Sequence, residues 1–171
     1  GLSISDVIAR ARIADPDAFL VYKPQPDVVA GLRHGELDAD ADQVVRDADL
    51  LSLLDRADTV HVLSSLAGFE ALLRGKTVHV HGQPFYAGWG LTIDHNPPPR
   101  RGRKLTLSEL VAGALIAYPL YCDPATGHRI EVEELVAVLG QGTKESSDPG
   151  LIRRLAGRAA LQPGTGRLTP M

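Results

Sequence analysis

HVLSSLAGFEALLRGKTVHVHGQPFYAGWG, residues 61–90, decides the fold. The apolar run Thr59 to Leu63 reads as a strand, Ala67 to Arg74 as a helix, and Thr77 to His81 as a second strand. Strand, helix and strand at this spacing form a parallel crossover unit. If the first run is a parallel strand, Ser64 and Ser65 lie at its carboxyl end, where open α/β sheets bind ligands. Free N–H groups of a first helical turn and two serine hydroxyls suit an anion such as phosphate. Ser65 also suits an N-cap, which needs no ligand. Gly68 lets a ligand or another backbone come close. Glu70 stands in the first turns of a helix that is otherwise apolar at Leu66, Phe69, Leu72 and Leu73. Its carboxylate could accept from the vicinal hydroxyls of a ribose, or simply offset the helix dipole. Serines for phosphate and a glutamate for ribose would together make a nucleotide site.

Upstream, Ile4, Val7, Ile8, Ala11 and Ile13 trace a helical stripe that ends at Asp15-Pro16. Ala18 to Tyr22 reads as a short buried strand that empties into YKPQPDV, residues 22–28. Pro24 and Pro26 stiffen that turn, so Lys23, Gln25 and Asp27 are presented as possible ligand contacts or merely carry the chain out of the sheet. Asp38, Asp40 and Asp42 alternate like calcium-loop ligands, yet Gln43 stands where such a loop needs glycine. A solvated acidic loop is the expectation. Leu50, Leu51, Leu53 and Leu54 mark another short helix.

Downstream, HGQPFYAGWG gathers Phe85, Tyr86 and Trp89 between glycines, either as stacking faces for a sugar or base or as a plug for the core. His79 and His81 share a strand face, but with no third ligand evident no metal is expected. PPPRRGRK, residues 97–104, reads as a stiff cationic linker. Two helical patterns follow, one through Leu107, Leu110, Val111, Ala114 and Leu115, the other through Val132, Leu135, Val136 and Leu139, with a turn at CDPATGH between them. The expected division is therefore a Rossmann-like core over 1–96, the linker 97–104, helices packing on the core over 105–161, and a flexible tail over 162–171.

Composition sets outer bounds. The chain has 171 residues, 44% of them hydrophobic, which is enough for one or two cores. A formal charge of -3 gives no field to gather a polyanion, so nucleic acid is not an expected partner. Cys122 is the single cysteine; it excludes an internal disulfide and reads as buried filler. No apolar run approaches the roughly 20 residues that span a bilayer, and the N-terminal stretch lacks the apolar centre of a signal peptide.

Taken in order, YKPQPDV, SSLAGFEALLRGK, HGQPFYAGWGLTID, RRGRKLTLSELV and YPLYCDPATG resemble the capsule polysaccharide biosynthesis and export family, including the KpsC-type retaining β-Kdo transferases. The resemblance runs from about residue 17 to about residue 140. It implies an α/β fold, a Rossmann-like parallel sheet flanked by helices, like the C-terminal half of a GT-B glycosyltransferase. It further implies a CMP-Kdo donor as substrate with no cofactor, the turn Pro24 to Asp27 and the loop of Ser64 and Ser65 at the CMP phosphate, and Glu70 at the ribose, so that Lys23, Gln25, Pro26, Asp27, Ser64, Ser65, Gly68 and Glu70 are the expected nucleotide contacts. The expected partners are that CMP-sugar, a lipid-linked glycan acceptor and an N-terminal domain that carries the acidic catalytic residues. The expected location is the cytoplasm or the periphery of the inner membrane. The family usually carries histidine where this chain has Gln25; glutamine can donate a hydrogen bond but never a positive charge. A degenerate, non-catalytic domain that serves capsule assembly or export as an interaction module is the alternative.

Overall fold

The computed structural model describes residues 2–32, 35 and 39–145, the last five of these by their backbone alone. The chain divides into two compact units, residues 1–111 and 112–171.

The first unit opens with helix α1, Ile4–Ala14. A reciprocal capping box starts it: Asp6 N–H donates to Ser3 Oγ, while Ser3 N–H donates to the Asp6 carboxylate. That hydrogen bonding holds the Asp6 carboxyl below its usual range. Val7 and Ala11 face inward, whereas Ile13, expected on the same stripe, is exposed, because two residues beyond Ala11 the helix has turned to its other side.

Strands β1 (Val21–Tyr22) and β2 (Gln43–Val44) pair in parallel. The buried strand expected over residues 18–22 is shorter and more open than that. Phe19 and Val21 are exposed, because only two residues pair and the pairing is with β2 alone. Helix α2, Pro26–Val29, starts with proline at its first position. The acidic loop is more than a solvated one, since Asp42 Oδ2 accepts from Leu20 N–H at 2.7 Å and from Arg12 at 2.8 Å. Those donors lower the Asp42 pKa. Asp38 lies outside the described residues.

Helix α3 (Leu50–Arg56), β3 (Thr59–Val62), α4 (Ala67–Leu73), β4 (Thr77–Val80) and β5 (Ile93–Asp94) complete the frame. The sheet order is β3-β4-β5, all parallel, with Thr59 opposite Thr77 and His61 opposite His79. Period-two alternation gives this sheet two unlike faces. Val62, Val78 and Val80 pack with Leu54 of α3 and with Phe69, Ala71 and Leu72 of α4 to form the main core, which Tyr86, Ala87 and Leu110 join. Helix α1 packs against β3, and its Val7 and Ala11 are buried outside that cluster.

Residues 97–104, expected as a linker, belong to the first unit. Arg101 donates to the carbonyls of Pro84 (2.7 Å) and Ala87 (2.6 Å) and lies over the Trp89 ring, so it staples the aromatic turn. Helix α5, Leu107–Ala112, begins with a second reciprocal box in which Thr106 and Glu109 exchange bonds.

The second unit runs from a π-helical turn, Gly113–Ala117, into an antiparallel ribbon of β6 (Tyr121–Cys122) and β7 (Arg129–Ile130), then helix α6, Val132–Glu145. Asp123 closes the ribbon by accepting from the N–H groups of Ala125 and Thr126. Cys122 is exposed on this ribbon, not buried, because two strands alone bury neither of their faces. A helix expected within 151–161 and the tail over 162–171 lie outside the described residues.

Candidate functional site

Parallel pairing brings the carboxyl ends of β3, β4 and β5 to one edge of the sheet. Residues 63–66 leave β3 there, and residues 81–90 leave β4 beside them. The two loops touch: Gly82 N–H donates to the Leu63 carbonyl at 2.9 Å. A Cβ at Gly82 would stand 2.6 Å from that oxygen, so only glycine allows the approach.

Ser64 is exposed and Ser65 half-buried. Ser65 Oγ accepts from Ala67 N–H at 3.2 Å, a bond that is compatible with the hydroxyl proton donating elsewhere. It caps from one residue before the N-cap proper: Leu66 holds that position in helical conformation and supplies no side-chain cap. The Ser65 carbonyl accepts both from Gly68 N–H and from the Tyr86 hydroxyl. Gly68 is buried, and a Cβ there would meet the Tyr86 ring, with Cζ at 2.8 Å. The close approach expected at Gly68 is thus made by a phenol of this chain. Burial raises the Tyr86 pKa, so the hydroxyl stays protonated and donates.

Glu70 follows in the first turn of α4. Its Oε2 is buried and has no hydrogen-bond partner among the described residues. A carboxylate oxygen in that condition costs free energy until a donor reaches it. Its backbone carbonyl is already used by Arg74, whose guanidinium also bonds Asp55 at 3.1 Å.

The β1 turn is built differently. Pro24 is buried, while Gln25, Pro26 and Asp27 are exposed. Gln25 is the N-cap of α2 and makes no side-chain capping bond. Lys23 Nζ donates to the Arg46 carbonyl at 3.1 Å, and its charge helps lower the pKa of Asp49, although the bonds from Ser52 do more. Lys23, Gln25 and Asp27 make no side-chain hydrogen bond to the serine loop among the described residues. A separate groove, lined by Ser5, Ile8, Ala9, Arg12, Ile13 and Asp40, contains none of the expected nucleotide contacts.

The parallel register gathers an array of four imidazoles that sequence spacing alone did not suggest. His61 stacks on His79, and His81 on His95, with ring centroids 4.3 Å apart in both pairs. His61 Nδ1 lies 3.2 Å from His81 Nε2, and His79 Nδ1 lies 3.1 Å from His95 Nε2, so each contact shares one proton between two rings. Burial, then the neighbouring imidazoles, push His61 down to about 4. Burial, then His95 and Arg10, push His81 down to about 4 as well. No group of three or more metal-ligating side chains converges on a common point among the described residues. The pattern HV in β3 against HVH at the end of β4 and just past it was the available signal, but it needed the register to become an array.

The family model "Capsule polysaccharide biosynthesis protein" matches residues 2–122. The chain is 47% identical over 154 residues to capsule polysaccharide modification protein LipA of Neisseria meningitidis serogroup A, covering 86% of this chain and 22% of LipA. It is 44% identical over 141 residues to lipopolysaccharide-processing protein LpsZ of Rhizobium meliloti, covering 79% and 32%. Among solved structures, KpsC β-Kdo 2,7 transferase of Thermosulfurimonas dismutans superposes with a TM-score of 0.68 at 46% identity, over 78% of this chain and 44% of that one. The β-Kdo 2,4 transferase of the same organism gives 0.67 at 35% identity, over 77% and 43%. The chain therefore spans a fifth to a third of these curated relatives and under half of either solved chain. No helix among the described residues is long and apolar enough to cross a membrane. On the family match and these identities together, the chain belongs to the capsule polysaccharide biosynthesis protein family.

Proposed function

We propose that this chain is the donor-binding half of a GT-B β-Kdo transferase acting in capsule biosynthesis, and that the edge formed by the β3 and β4 loops holds CMP-Kdo. The carrying observation is the buried Oε2 of Glu70, without a hydrogen-bond partner among the described residues and in the first turn of the helix that follows Ser65, on a fold similar to the KpsC transferases. A ribose hydroxyl would supply the missing donor, and hydrogen bonds to a charged acceptor are worth about 1.5–3 kcal/mol each. Ser64 and Ser65 would donate to the CMP phosphate, which gains charge as the anomeric carbon is attacked. Lys23, Gln25, Pro26 and Asp27 would close on the same phosphate from the β1 turn. The acceptor glycan and the catalytic carboxylates would be held by the remainder of a longer transferase, at the cytoplasmic side of the inner membrane. The chain alone would bind the donor without turning it over.

Titration of the 171-residue chain with CMP tests this. We expect weak binding that Ser65→Ala or Glu70→Ala reduces below detection while the circular dichroism spectrum is retained. Absence of CMP binding by the folded wild type would instead favour a non-catalytic interaction module, the reading that Gln25 supports by lacking the family's usual histidine. Gln25→His should tighten CMP binding if the β1 turn reaches the phosphate.

A further inference from the structure

The aromatic turn supplies something beyond the expected contacts. Tyr86 is buried to 1% exposure, packs with Phe69 and Phe85, and places its hydroxyl on the Ser65 carbonyl. A trans peptide is planar, with its C=O and N–H pointing in opposite directions. Drawing the Ser65 oxygen inward therefore turns the Leu66 N–H outward. That N–H has no acceptor among the described residues, and the Leu66 side chain beside it is exposed. The Ser65 hydroxyl proton likewise has no acceptor among the described residues, while Oγ accepts from Ala67 N–H.

We propose that Tyr86 is a positioning residue: by holding the Ser65 carbonyl inward, it presents the Leu66 N–H and the Ser65 hydroxyl as paired donors to the phosphate of a bound nucleotide. This rests on the reading of the serine loop as a phosphate contact. It gives Gly68 a definite reason, since any side chain there would occupy the space of the phenol. Arg101 and Trp89 serve the same end one step further out: Arg101 holds the Pro84 and Ala87 carbonyls on either side of Tyr86, and Trp89 Nε1 donates to the Phe85 carbonyl at 2.8 Å.

The test compares CMP with cytidine, which share base and ribose but differ in phosphate, on wild type, Tyr86→Phe and Gly68→Ala, with binding followed by NMR titration. Tyr86→Phe keeps the ring and deletes only the hydroxyl; Gly68→Ala keeps the hydroxyl and displaces it. Both variants should lose about five- to tenfold in CMP affinity, the usual effect of one hydrogen bond, with cytidine affinity unchanged. Equal losses for CMP and cytidine, or undiminished CMP affinity in Tyr86→Phe, would overturn the positioning role while leaving the nucleotide site standing. Wild type that binds neither ligand would overturn both readings together.

Discussion

The two faces of the β3-β4-β5 sheet carry the same backbone and opposite chemistry. Val62, Val78 and Val80 face α3 and α4 in a dry core, and that core anchors the serine loop through Phe69 and Tyr86. One residue along each strand, the other face presents four histidines, of which His81 is 1% exposed with Nδ1 lacking any partner among the described residues. A valine face gains free energy from burial at every pH, whereas an imidazole face is stable only while it stays neutral. The serine loop thus hangs from the pH-insensitive side, and the vulnerability of the fold lies on the other.

The largest expected effect breaks the valine side. Phe69 is 4% exposed and touches both Phe85 and Tyr86, so Phe69→Ala removes a ring from the centre of the cluster. A loss of about 3–5 kcal/mol is expected, read from the urea midpoint. A loss under about 1 kcal/mol would mean that α4 is anchored elsewhere.

Acid breaks the histidine side. Both His61 and His81 titrate near 4 in the folded chain, below the unfolded value of 6.5. The unfolded chain therefore binds more protons between those values, and stability must fall as pH drops from about 6.5 to about 4. It is fully present above 6.5. The expected decline is on the order of 2–3 kcal/mol for the array as a whole, allowing for the solvent that reaches half-buried His61. Urea midpoints at pH 8, 6 and 4.5 measure it, and a flat profile would show that the rings charge without cost.

These two faces were not equally legible in the sequence. The strand-helix-strand reading of residues 59–81 succeeded because apolar periodicity reports directly which side of a strand is buried. His79 and His81 on one face followed from the same alternation. Their meeting with His61 and His95 did not, since it depends on parallel register between strands separated by helix and loop, which no local pattern encodes. Tyr86 was visible as an aromatic, but a hydroxyl reaching a carbonyl 21 residues away is a tertiary fact. The staple made by Arg101 was hidden for the opposite reason: PPPRRGRK has a linker's composition, and composition cannot show that one of its cations folds back on Pro84 and Ala87. The capping boxes at Ser3 and Thr106 were in the spelling S-x-x-D and T-x-x-E all along.

The smallest expected effect is the most discriminating. His81→Leu replaces a buried polar ring by an apolar side chain on a strand whose other face is already valine. At pH 8 the orphaned Nδ1 is removed along with its desolvation cost, and His61 Nδ1, left without its ring partner, can turn to water at the half-buried edge. The two effects oppose each other, so stability should stay within about 1 kcal/mol of wild type. The acid decline should shrink in the same variant, because its most buried titrating member is gone. If the chain instead lost several kcal/mol at pH 8, the imidazole array would be a cooperative hydrogen-bonded unit in its own right, and the two faces of the sheet would hold the fold as equals.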